Sequence, residues 1–185
     1  MSRDTYQVKL VLIGSDRVGK TSIRRRYLGL GFKTSHIKTL GSDFSVKSFD
    51  LEEGEGKAVI WDLAGEAYRV PRAEVYLRGA AGILAIFDVT NPSSLENLKM
   101  WAEWAAQAIS MVPFFIVGNK IDLESERKVS REDMEKMVRW IKENFHDTYT
   151  EIKSFETSAM TGEGINQAFE ELLRYILVTK PSTTT

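Results

Sequence analysis

The sequence predicts a doubly wound α/β domain, in which short strands alternate with helices and one antiparallel hairpin joins an otherwise parallel sheet. Apolar runs of strand length recur at 8–13, 58–61, 83–89 and 113–117, with a weaker one at 154–157. Helical patterns separate most of them. The clearest consists of Ile165, Ala168, Phe169, Leu172, Leu173 and Ile176, whose three-and-four spacing puts them on one face that packs on a sheet. Residues 44–51, the turn Glu53-Gly54-Glu55-Gly56 and residues 57–62 read as the hairpin. Such alternation implies right-handed crossovers and places ligands at the carboxyl ends of the strands.

In chain order, the strand at 8–13 runs into a glycine-bearing loop and a first helix that carries Arg24-Arg25-Arg26, expected to form a solvated basic face. The hairpin follows, then the strand at 83–89. Asn91 caps the next helix with Pro92 at its first position, and Ser130 with Asp133 resembles a capping box built with the shorter acid. The segment 130–153, with Trp140, Phe145 and Tyr149, reads as an extended helix and loop packing on itself rather than as a dedicated partner site.

At 185 residues the chain fits a single domain, with 1–5 and 180–185 as loose tails, and 43% hydrophobic residues suffice for a continuous core. A net charge of -1 gives no field for a polyanion, so nucleic acid is not an expected partner. The absence of cysteine excludes disulfides, zinc-thiolate sites and lipid attached through sulfur, and Ser2 excludes N-myristoylation. The longest apolar stretch, 82–89, falls far short of the roughly 20 residues that span a bilayer, and the first ten residues are too polar for a signal peptide. These features read as a cytoplasmic protein without an intrinsic membrane anchor.

Gly14-Ser15-Asp16-Arg17-Val18-Gly19-Lys20-Thr21 matches the phosphate-loop pattern G-x-x-x-x-G-K-[ST], between a strand and a helix as the motif requires. Glycines let the backbone turn tightly and bring successive N–H groups against a β-phosphate at a helix N-terminus. The cradle runs over Asp16, Arg17, Val18, Gly19, Lys20, Thr21 and Ser22. Lys20 neutralises β and γ oxygens, and the Thr21 hydroxyl binds the Mg²⁺ that bridges them. This loop touches no base, so it does not separate GTP from ATP.

Trp61-Asp62-Leu63-Ala64-Gly65 ends a strand, where Asp62 can hold Mg²⁺ through water and Gly65 can approach the γ-phosphate. Asn119-Lys120-Ile121-Asp122 ends another, and the Asp122 carboxylate can accept hydrogen bonds from guanine N1–H and N2–H₂, a donor pair adenine lacks. If that carboxylate is buried, leaving it unpaired is costly, and such a site discriminates by roughly four to five powers of ten. Ser158-Ala159-Met160 supports it with a backbone N–H toward guanine O6. An ATP-dependent kinase using the same loop is disfavoured by this guanine motif.

Together these motifs resemble the Ras superfamily, and within it the Rab branch, from Tyr6 to Leu177. Thr39-Leu40-Gly41-Ser42-Asp43-Phe44 resembles T-I-G-V-D-F, Trp61 to Gly65 resembles W-D-T-A-G, and Leu77-Arg78-Gly79-Ala80 resembles Y-R-G-A. Gly118 to Leu123 and Glu156 to Met160 resemble G-N-K-x-D-L and E-T-S-A-K. The resemblance implies a P-loop NTPase fold of three α/β/α layers, with a six-stranded sheet ordered 2-3-1-4-5-6. It implies that Thr39 gives its hydroxyl to Mg²⁺ and its N–H to the γ-phosphate, and that Phe32 packs on guanine. Loss of the γ-phosphate then frees Thr39 and Gly65, a switch read by effector proteins and governed by GTPase-activating and nucleotide-exchange proteins. The implied protein is a monomer that binds GTP or GDP and hydrolyses GTP slowly, recruited to membranes through its partners if at all.

Several positions depart from the family pattern. Glu66 stands where the family has a water-orienting Gln; a carboxylate keeps the acceptor and loses the donor, so the chain is either an unusual hydrolase or a binding module with little turnover. Asp16 and Arg17 stand where Ras has glycines. Arg17 is either a built-in arginine finger or a solvated group paired with Asp16. Met160 replaces the usual Lys but leaves the preceding backbone donor. The tail 181–185 lacks the Rab terminal cysteines, which reads as an unlipidated chain, as in some prokaryotic relatives, or as one whose lipidated tail was removed.

Overall fold

The computed structural model describes residues 6–32, 41–51 and 54–179. Its strands are β1 (Tyr6–Ile13), β2 (Ser42–Leu51), β3 (Gly54–Leu63), β4 (Gly82–Asp88), β5 (Val112–Asn119) and β6 (Tyr149–Thr157). They form one six-stranded sheet in the order β2-β3-β1-β4-β5-β6, as the family resemblance implied. The β2–β3 pair is antiparallel and every other pair is parallel. The helices are α1 (Lys20–Tyr27), α2 (Pro92–Ala106), α3 (Arg131–Asn144) and α4 (Ile165–Thr179).

Side-chain alternation along the strands feeds two cores. Val11 and Ile13 of β1 join Leu98 and Trp101 of α2 and Met137 and Ile141 of α3 on one face of the sheet. Leu10 and Leu12 join Ile23 of α1 and Phe169, Leu172 and Ile176 of α4 on the other. Period-two strands between helix layers produce this division. β4 and β5 are buried at every position, as parallel strands covered on both faces must be.

Local chemistry sets the helix starts. The Asn91 side chain accepts from the Ser93 amide at 3.2 Å, with Pro92 in the first turn. Ser130 and Asp133 form a reciprocal capping box, each side chain accepting from the other's amide at 3.1 Å.

Two strands are longer than their apolar signal. β3 starts at Gly54, because Gly54, Glu55 and Gly56 pair with Leu51, Asp50 and Phe49, and the Phe49 ring fills the space a side chain at Gly56 would take. The ladder therefore runs further than expected, to Leu51 and Gly54. β6 starts at Tyr149, so the expected extended helix and loop over 130–153 is instead α3, a short connection and half a strand. As an edge strand β6 exposes Thr150 and only half-covers Glu151, which weakens its apolar pattern. Tyr149 anchors its start by donating to the Ala102 carbonyl at 2.7 Å and packing on Phe114 and Phe145, and Phe145 in turn meets Trp140 edge-on. No helix among the described residues is long and apolar enough to cross a membrane.

Phe169 is fully buried and stacks on Tyr27 with centroids 3.9 Å apart. Phe169→Ala is expected to cost about 3–5 kcal/mol of stability, read from the midpoint of urea unfolding.

Candidate functional site

Loops leaving the carboxyl ends of β1, β3, β4, β5 and β6 meet at one edge of the sheet, and the three sequence motifs meet there too. The loop after β1 ends at Gly19, which caps α1 with φ of 101°. A side chain there would collide with the Asn119 amide. Asn119, 1% exposed, donates through Nδ2 to the Val18 carbonyl at 2.9 Å, while its Oδ1 accepts from Thr157 Oγ1 at 3.2 Å and the Ala159 amide at 3.1 Å. One side chain therefore locks the phosphate loop to the loops after β5 and β6.

Lys20 is buried, and its Nζ donates to the carbonyls of Gly14 at 2.7 Å and Ser15 at 2.8 Å. Burial pushes its pKa down to about 8, against the opposing attraction of Asp62 and Asp16. At the next residue, Thr21 Oγ1 donates to Asp62 Oδ2 at 2.5 Å. Asp62 is wholly buried at the end of β3, and its Oδ1 has no hydrogen-bond partner. Burial raises its pKa, with Asp43 raising it further, and the Thr21 hydroxyl, Arg24 and Lys20 acting the other way. A desolvated ammonium beside a phosphate cradle and an orphaned carboxylate oxygen beside a threonine hydroxyl fit a polyphosphate with a hard divalent cation. Ser22 is half-buried in the first turn of α1.

Gly65 is buried, and its amide donates to Asp16 Oδ1 at 3.1 Å. A side chain at Gly65 would strike the backbone and carboxylate of Asp16, so glycine is required by this close approach. Glu66 is exposed and accepts from Arg69 Nη1 at 3.3 Å. Arg17 is exposed with φ of 62° and, among the described residues, makes no ion pair; it is solvated, and its pairing with Asp16 is not seen. Phe32 is 39% exposed just before the segment 33–40, and Thr39 lies outside the described residues.

At the base end, Ser158 Oγ donates to Asp122 Oδ1 and accepts from the Thr161 amide at 3.0 Å. Asp122 is exposed, so the condition of burial is not met by the chain alone. The Ala159 amide, expected to face a guanine oxygen, donates to Asn119 in this structure. Met160 is exposed. Lys120, with φ of 70°, pairs with Asp88 at 2.5 Å, and Asp88 is itself held by the amide and hydroxyl of Thr90.

The arginine run is not the solvated basic face expected from sequence. Arg24 is 6% exposed, and its Nη2 meets Asp43 Oδ2 at 2.5 Å while its Nε lies 3.9 Å from Asp62 Oδ2. Arg26 donates to the carbonyls of Ala159 and Met160. The reason is helical phase: Arg24 follows Thr21 by three residues, so both point at Asp62. Asp88, Asp43 and Arg24 were not singled out as site residues. Only the strand-ending position of Asp88 offered a signal, since the contacts of the others span β2, β3 and α1.

The profile described as Ras family matches residues 9–178. The chain belongs to the Ras family. It is 35% identical over 171 residues to Ras-related protein Rab-13 of Rattus norvegicus, covering 92% of this chain and 80% of that protein. It is 36% identical over 173 residues to Ras-related protein Rab-8B of Homo sapiens, covering 93% and 79%. It is 36% identical over 187 residues to Ras-related protein Rab-10 of Caenorhabditis elegans, covering 100% and 89%. The chain is thus a Rab-like small GTPase, and its sheet has the arrangement that family resemblance implied.

The depressed pKa of Lys20 has a signed consequence. Between about pH 8 and 10.5 the unfolded chain holds a proton on Lys20 that the folded chain lacks, so stability without bound anion rises with pH across that window. The gain is on the order of 3 kcal/mol. Unfolding midpoints against pH should show the rise in the nucleotide-free protein and lose this increment in Lys20→Met.

Proposed function

We propose that this protein is a monomeric, single-domain switch that binds GTP or GDP with Mg²⁺, hydrolyses GTP to GDP and phosphate, and presents a GTP-ordered surface to effector proteins. The observation that supports this reading is the Asn119 amide, which joins the loop at Val18 to the loop at Ala159 and so holds the two motif-bearing segments side by side.

In this reading the loop amides from Asp16 to Ser22 cradle the phosphates, and Lys20 exchanges its carbonyl partners for β and γ oxygens. Asp122, braced by Ser158, accepts from the guanine edge, while Lys120, Phe32, Ala159 and Met160 border the base. Thr21 and Thr39 would ligate Mg²⁺ directly and Asp62 through water, and the ion would supply positive charge that offsets that of the phosphates. Water attacks the γ-phosphorus in line and the bond to the β-phosphate oxygen breaks. Gly65 transfers its amide from Asp16 to the γ-phosphate, which orders the segment after β3 and couples hydrolysis to its release.

The surface that changes with this segment is apolar. Phe44 is 57% exposed and stacks on Trp61 at 5.4 Å, and Trp61 meets Tyr76 at 6.2 Å. Effectors, together with GTPase-activating and nucleotide-exchange proteins, would dock across this aromatic row beside the switch segments. Location in the cytoplasm, with membrane recruitment through such partners, accords with this reading.

A second reading is a guanine-nucleotide-binding module with little turnover. The carboxylate of Glu66, paired with Arg69 and lacking an amide donor, favours it. Single-turnover phosphate release separates the two. The hydrolase reading expects release from the native protein and an altered rate in Glu66→Gln; equal rates would remove Glu66 from the mechanism, and release only from Glu66→Gln would establish the module. For the base site, Asp122→Asn is expected to weaken GTP binding by roughly 10⁴-fold in a fluorescent-nucleotide titration, and retained affinity would mean another residue reads the base.

A further inference from the structure

Arg24 is a buried cation placed against the carboxylate that the proposed function assigns to Mg²⁺. In the β2–β3 ladder Asp43 and Asp62 are direct cross-strand partners. Two carboxylates facing each other across a strand pair repel, and Asp62 is fully desolvated. Arg24 reaches both from α1: its Nη2 bonds to Asp43 at 2.5 Å, and its Nε approaches Asp62 Oδ2 to 3.9 Å, on the oxygen that accepts from Thr21.

The guanidinium is only partly used. Nε and Nη1 of Arg24 are buried without hydrogen-bond partners, as is Asp62 Oδ1. An arginine keeps its charge at any physiological pH, so this cation remains whether or not a metal is present. A fixed positive charge beside a metal ligand has two effects on a divalent ion. It repels the ion, and it offsets the buried charge of Asp62 when the ion leaves.

We infer that Arg24 is a built-in counter-ion for Asp62 that weakens Mg²⁺ binding and lets the protein retain nucleotide at low Mg²⁺. It is a positioning residue, acting through Asp62 and, by way of Asp43, on the strand that follows the segment 33–40. The inference rests on the reading that Thr21 and Asp62 hold Mg²⁺.

The test is the release rate of a fluorescent GDP analogue as Mg²⁺ is titrated, with each protein's thermal melting recorded beside it. Arg24→Gln is expected to lower the Mg²⁺ concentration that half-maximally slows release by roughly tenfold or more, since a unit charge this close to the ligand oxygen is removed. It should also steepen the acceleration caused by a chelator. Arg24→Lys, which keeps the charge, should stay near the native midpoint. Asp43 is exposed, so Asp43→Asn tests the idea without disturbing the interior. Turning the whole Arg24 charge toward Asp62, it should move the midpoint upward.

A purely structural Arg24 would change melting and leave the midpoints alike in Arg24→Gln and Asp43→Asn, which overturns the inference. Thr21→Ala separates its failure from that of the metal reading. If Mg²⁺ slows release from the native protein and not from Thr21→Ala, while the Arg24 and Asp43 midpoints coincide with native, only the counter-ion is wrong. If millimolar Mg²⁺ slows release from none of these proteins, the metal site and the inference fall together.

Discussion

The side-chain amide of Asn119, at the end of β5, satisfies three groups that come from two other strands and the loops after them: the Val18 carbonyl after β1, the Thr157 hydroxyl at the end of β6 and the Ala159 amide beyond it. A buried primary amide must fill both its donor and its acceptor capacity, and here each is filled by a different loop. Gly19 makes room for it, because a side chain at that position would occupy the space of the amide. The loops proposed to bind phosphate and base are separate in sequence and are held together by this contact.

Around that frame lie charges the fold alone does not satisfy. Lys20 is stripped of water and held by carbonyls, Asp62 keeps an oxygen without a hydrogen bond, and Arg24 keeps two nitrogens without one. In a low-dielectric interior each destabilises the chain by itself, so ligands that supply the missing partners bind with energy the fold has withheld. The site is a place where local stability is given up for binding, and its residues cluster where the two apolar cores end.

The loop residues that depart from the family pattern act on one another. Asp16 receives the Gly65 amide, the donor assigned by resemblance to the γ-phosphate, so a carboxylate stands where a phosphate oxygen is expected to compete. Glu66, next along, is drawn toward Arg69. Arg17 projects into solvent from a left-handed backbone position, a conformation that glycine adopts without strain. Acidic groups thus stand on both sides of the proposed γ-phosphate position.

Periodicity and motif spacing alone determined the alternation of strands and helices, the hairpin, the helix caps and the three binding motifs, because each is a local pattern in which backbone geometry and neighbouring side chains are set within a few residues. Resemblance supplied the order of the strands. Tertiary structure alone decided that Arg24 is buried while Arg25 and Arg26 are only half-covered, that Asp43 faces Asp62, that Asp88 holds Lys120, and that Asp122 stands exposed. Those facts depend on helix phase, strand register and approach between elements far apart in the chain. Charge and burial there are properties of the assembled neighbourhood, and no single segment carries them.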